Sequence, residues 1–153
     1  MAATMAWRDS FLLGLPAMDA THREFVECVA ALQGAADAEL LERLGDFERH
    51  AVAHFEQEEQ WMNSTSFPAA QCHADEHAAV LASVREVQAL LQQDAANRQV
   101  ARDLTQALVD WFPGHADYMD ASLSQWMSKR SHGGAPVVLR RNAVQNASDL
   151  SPQ

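Results

Sequence analysis

Ionisable side chains recur on the apolar phase of four helical segments in this sequence, and few folds can accommodate that. His73 and His77, in "CHADEH", stand one turn apart and share the phase of Val80, Leu81 and Val84. His54 and Glu58 have the same spacing within "HAVAHFEQEEQWM". His22 precedes Phe25, Val26 and Val29 on its inner side, and His115 and Asp120 follow Trp111. One helical turn rises about 5.4 Å, so imidazoles four residues apart can reach the same ion from one face.

The segments themselves are read from periodicity. Six glycines and five prolines in 153 residues are few, and Ala, Leu, Gln and Glu outweigh β-branched residues, which favours helix. Apolar stripes predict helices over about 18–33, 37–63, 68–93 and 96–127. Asp19 or Thr21 can cap the first, Gly34 can close it, and Pro68 opens the third. Short connections imply antiparallel neighbours, hence an all-α, up-down-up-down four-helix bundle over residues 18–128. Residues 1–17 are expected to form an arm whose Trp7, Phe11, Leu12 and Leu13 lie on the bundle. Residues 129–153, with Gly133, Gly134 and Pro136, lack helical period and read as a flexible tail.

Charge removes several classes of function. Residues 1–128 hold seven of the eleven basic residues and twenty of the twenty-one acidic ones, a net charge near −13. A surface that acidic repels phosphate backbones, so nucleic-acid binding is excluded. The N-terminal stretch has one Arg and a four-residue apolar run broken by Gly14 and Pro16, neither a signal peptide nor a membrane span. Cys28 and Cys72 make no disulfide framework and read as small buried apolar residues. A cytoplasmic protein is expected.

A single buried histidine is usually a hydrogen-bonded core residue. Five histidines and two carboxylates directed inward by four helices are another matter, because an unpaired buried carboxylate costs several kcal/mol. A metal centre would satisfy all seven together; carboxylates can bridge two metals about 3.5–4 Å apart while imidazoles complete each coordination sphere. His50 lies eight residues before Glu58, about 12 Å along the axis, so a compact centre cannot use both. His54 and Glu58 are therefore assigned to the site and His50 to its surroundings. Glu-x-x-His, His-Glu-x-x-His, Cys-x-x-Cys and glycine-rich phosphate loops are all absent.

These pieces resemble the hemerythrin family, specifically its bacterial single-domain members. The matching stretches are Trp7, "MDATHREFV" at 18–26, "HFEQEEQWM" at 54–62, "FPAAQCHADEH" at 67–77 and "WFPGHADYMD" at 111–120. The resemblance implies two irons with an oxo or hydroxo bridge. His73, His77 and His115 would be terminal ligands of one iron, and His22 and His54 of the other. Glu58 and Asp120 would bridge them; Asp120, not Asp117, has the family's separation from His115. Dioxygen would bind at the position left open on the iron with two histidines. Two departures stand out: Ala116 replaces a bulky aliphatic residue, and Pro113 and Gly114 directly precede His115.

The implied activity is reversible dioxygen binding, for storage, delivery or sensing, by a protein that is not an enzyme. Two ferrous ions, two carboxylates and one hydroxide leave the centre near +1, because imidazoles bind neutral. More carboxylates would better support high-valent iron, so this donor set favours reversible electron transfer. Phe25, Phe55 and Trp111 are core residues that would also exclude water. Competing readings are a di-iron enzyme handling peroxide or nitric oxide, an iron store, and a metal-free interaction bundle. A sensory role would need a separate protein partner.

Overall fold

Pro16 starts the first helix, where its missing N–H is one that no intrahelical acceptor would have used. In the computed structural model, which describes residues 3–131, helix α1 spans Pro16–Gly34. Neither expected cap works as such. The Asp19 carboxylate reaches back to accept the Leu13 and Gly14 backbone N–H groups at 2.8 and 3.2 Å, and Thr21 donates to the Met18 carbonyl. Asp19 thus ties the arm to α1. The other end of α1 is held from a distant helix: Arg102 donates to the Leu32 and Ala35 carbonyls and to Asp37.

A short 3₁₀ turn at Asp37–Glu39 leads into α2, Leu40–Ser64. The chain then reverses through Ser66, whose φ of 53° lies in the left-handed region, and Phe67 N–H bonds the Met62 carbonyl. Helix α3 spans Ala70–Gln93, beginning just after Pro68. Asp94 accepts the Ala96 N–H to nucleate a second 3₁₀ turn, Ala95–Asn97, before α4, Arg98–His115.

The fourth predicted helix is not uniform. Pro113 does not end α4; a π-helical turn, Ala116–Asp120, follows His115, and α5 continues over Ala121–Ser131. The helical stretch therefore runs a few residues past the expected boundary at 128, and the rest of the predicted tail lies outside the described residues.

Helix α1 packs on α2 and α4, and α3 packs on the same two, closing a four-helix ring. Two apolar clusters fill it. The larger holds Phe25, Phe47, Phe55, Phe112, Leu40 and Leu44; the smaller holds Leu13, Met18, Met62 and Leu123. The order along each helix places a polar layer between them: Met18, His22, Phe25 on α1, and Phe55, Glu58, Met62 on α2. In the arm, Phe11 stands edge-on to Phe112 at 5.2 Å and Leu13 is buried. Cys28 is only half-buried and Cys72 is exposed, against the expectation of two buried thiols, because both lie off the inner phase of their helices. Among the described residues no helix is long and apolar enough to cross a membrane.

Replacing Asp19 with Ala would leave the Leu13 and Gly14 N–H groups without their acceptor. A loss of about 1–3 kcal/mol is expected in urea unfolding of the metal-free protein. An unchanged unfolding midpoint would contradict the anchoring role of Asp19.

Candidate metal centre

Each member of the polar layer is placed by helix geometry. The pairs His54–Glu58 and His73–His77 are four residues apart, so each pair shares one face of its helix. His115 and Asp120 are five apart, which in an α-helix would separate them by roughly 140°. The π turn removes that offset: the Ala121 N–H bonds the carbonyl of Ala116, five residues back, so a turn closes on the fifth residue. His115 and Asp120 consequently both face inward and are 5% and 0% exposed.

All seven predicted site residues are buried and converge. Glu58, His73, His77, His115 and Asp120 each offer one ligand atom within 4.8 Å of the others, and His22, His54 and Glu58 form a second such group. The carboxylates divide their oxygens between the two. Glu58 Oε2 lies 2.7 Å from His54 Nε2 and 3.5 Å from His22 Nε2, while its Oε1 lies 3.3 and 3.2 Å from the Nε2 atoms of His73 and His77. Asp120 Oδ2 lies 3.0 Å from His22 Nε2, and its Oδ1 lies 3.0 and 3.2 Å from His73 and His115.

This arrangement fits metal ions better than it fits internal hydrogen bonding. His22 Nε2, His77 Nε2, Glu58 Oε1 and both Asp120 oxygens have no hydrogen-bond partner among the described residues, although acceptors and donors lie close. Buried groups of that kind cost several kcal/mol unless something satisfies them. The Nε2 atoms of His73 and His115 approach to 3.2 Å. Ligand atoms about 2.1 Å from an ion and at right angles to one another lie about 3.0 Å apart, and these spacings match that separation.

Within the layer the imidazoles and carboxylates shift one another's titration. Burial lowers the basicity of His22 and His73, but the adjacent Asp120 and Glu58 carboxylates outweigh it, raising the two to about 10 and about 9. His115 is also raised, burial being overcome by Asp120 and Glu76. Burial alone would raise the two carboxyls, yet the surrounding imidazoles hold both well below the usual range.

Around the layer lie residues that periodicity did not single out. Glu59 Oε2 is 3.1 Å from His77 Nδ1, and Glu76 Oε1 is 2.8 Å from both His115 Nδ1 and Trp111 Nε1. Their only signal was adjacency to Glu58 and His77. Phe55 stacks on His77 at 3.9 Å, and Trp111 on His115 at 4.2 Å. Phe25 stands edge-on to His54, and Phe112, unremarked in the sequence, edge-on to His22. Ala116 is fully buried in the larger apolar cluster. A crevice of about 70 Å³ between Phe67, Cys72, Tyr118 and Met119 reaches His73 from the surface.

His50 stays outside the cluster, as expected. Its ring packs edge-on to His54 at 5.3 Å, and its Nδ1 lies 3.6 Å from Glu24. Burial, then the neighbouring His54 and His22, lower its pKa to about 4, so it is neutral at physiological pH.

Comparison with known proteins agrees with this geometry. The family model described as "Hemerythrin HHE cation binding domain" matches residues 13–127. A bacteriohemerythrin of Ralstonia nicotianae is 36% identical over 126 residues, covering 81% of this chain and 89% of the relative. A bacteriohemerythrin of Stenotrophomonas maltophilia is 24% identical over 147 residues, covering 86% of this chain and 92% of the relative. The matched span contains the bundle helices from α1 to the π turn and all seven members of the polar layer, and the chain belongs to the hemerythrin family.

Proposed function

We propose that the polar layer holds two iron ions and that the protein binds dioxygen reversibly, as a store, carrier or sensor rather than an enzyme. The observation that carries this reading is the division of each carboxylate between two groups of imidazoles. His73, His77 and His115 would hold one ion, His22 and His54 the other, with Glu58 and Asp120 shared. A pair of ferrous ions supplies two electrons, one from each, for taking up dioxygen. Only two carboxylates compensate the ions, which supports reversible exchange over substrate oxidation.

The chain's own contribution is positioning and exclusion of water. Four helices fix the seven donors before any ion arrives, so little reorganisation is needed on binding. Phe25 and Phe112, both buried, cover the half with two imidazoles, where the donor set leaves room for an exogenous ligand. Phe55 and Trp111 cover the other half. Apolar walls of this kind keep water from the centre and slow its oxidation. The two free thiols, with no disulfide, support a reducing compartment such as the cytoplasm.

Reconstitution under anaerobic conditions should give about two irons per chain, and air should produce an optical band that argon or vacuum reverses. His54→Ala or Glu58→Ala should abolish that band, whereas His50→Ala should leave it; steady turnover of peroxide or nitric oxide without a reversible adduct would overturn the reading.

Protonation supplies a second test. In the metal-free protein His22 and His73 titrate near 10 and 9, against 6.5 unfolded. Raised values mean stabilisation that is complete below about pH 6.5 and disappears as pH rises through 9 to 10. Metal-free stability should therefore fall over that alkaline range. Loading ferrous ion near neutral pH should release protons into a weak buffer; loading without proton release would contradict ligation by these imidazoles.

A further inference from the structure

The five imidazoles of the polar layer differ in what meets their outer nitrogens. His77 Nδ1 faces Glu59 at 3.1 Å and His115 Nδ1 faces Glu76 at 2.8 Å. The Nδ1 atoms of His22, His54 and His73 are buried and have no hydrogen-bond partner among the described residues. Both carboxylate contacts thus fall on the group formed by His73, His77 and His115, and neither falls on the pair His22 and His54. Each contact also crosses between helices: Glu59 of α2 reaches His77 of α3, and Glu76 of α3 reaches His115 of α4.

We infer that Glu59 and Glu76 are positioning residues that make the three-histidine half of the centre take its metal ion first and hold it more tightly. This rests on the di-iron reading above. A carboxylate on Nδ1 keeps the proton there, so the Nε2 lone pair faces the centre, and its charge makes that nitrogen a stronger donor. Glu76 does more than Glu59. Its Oε1 also accepts the Trp111 indole N–H at 2.8 Å, and the indole lies nearly parallel to the His115 ring, 25° between planes. One oxygen therefore fixes the tautomer of His115 and the aromatic plane that limits its rotation. Both glutamates are about one-third exposed, so they keep part of their hydration while contacting fully buried rings. Among the described residues Phe112 stands edge-on to His22, Phe25 and His50 edge-on to His54, and no carboxylate meets their outer nitrogens, so these imidazoles are correspondingly weaker donors.

The alternative is that the two acids merely brace neighbouring helices. Glutamine separates the two roles, since its carbonyl oxygen can still accept a hydrogen bond but carries no charge. The experiment is an anaerobic calorimetric titration of metal-free protein with ferrous ion, on the wild type, E59Q, E76Q and D75N. Asp75 is an exposed neighbour on α3 whose carboxylate accepts from Gln71, and it controls for loss of one surface charge. The wild type should bind in two resolved steps. E59Q and E76Q should each weaken the first step about 10- to 100-fold, with a much smaller effect on the second and with wild-type helicity and urea midpoint. D75N should leave both steps unchanged.

A first step within about twofold of wild type in both glutamine variants would overturn the inference. So would an equal fall in both steps, or the same fall in D75N. If those results came with two ions bound by the wild type, only this inference would fail. Failure of the wild type to take up ferrous ion at all would overturn the di-iron reading, and this inference with it.

Discussion

Two carboxylates, Glu58 and Asp120, lie almost wholly out of water at the middle of the bundle, and the rest of the molecule is arranged around them. Burying one anion is costly and burying two close together is worse, since each disfavours ionisation of the other. Five imidazoles supplied by all four walls of the ring make that position tolerable. Without metal they do so by taking up protons; with cations present the same nitrogens turn from proton holders into donors. The apolar clusters on either side keep most of the layer from water, so its charge balance is settled largely inside the protein.

Periodicity makes much of this visible in the sequence alone. The apolar stripes located the bundle helices, with ends shifted by a few residues where 3₁₀ turns at Asp37–Glu39 and Ala95–Asn97 replace regular helix. His54 with Glu58, and His73 with His77, follow directly from the rule that positions four apart share a face. Asp120 does not. A five-residue separation from His115 predicts divergent directions in regular helix, and only likeness to a family picked Asp120 over Asp117. The physical reason is the π turn, which a 3.6-residue template cannot represent. The sequence signal that something was irregular, Pro113, pointed a few residues too early.

What lay beyond reach was mostly what depends on side chains crossing between helices. Glu59 and Glu76 stand one residue off the inner phase, where a glutamate normally faces solvent; their length lets them curl back onto rings of the next helix. Arg102 caps the end of α1 from α4, a contact across 67 residues of chain that no local pattern encodes. Asp19 looked like a helix cap and instead fastens the arm, because Pro16 had already moved the helix start upstream. Cys72, adjacent to His73, shows the converse: a small apolar-looking residue is exposed because its neighbour took the inward direction.

The π turn also makes chain length the critical variable between His115 and Asp120. Each residue of an α-helix advances the direction of its side chain by about 100°. Dropping one residue between 116 and 119 would let a regular α-helical turn close with the carboxylate four residues after His115, but adding one would rotate everything downstream by about that amount. Leu123 would leave the smaller apolar cluster, and the Ser124 hydroxyl would lose the Leu13 carbonyl on which the arm is latched. A stretch whose exposed members, such as Tyr118, look freely replaceable therefore tolerates changes of residue far better than an added one.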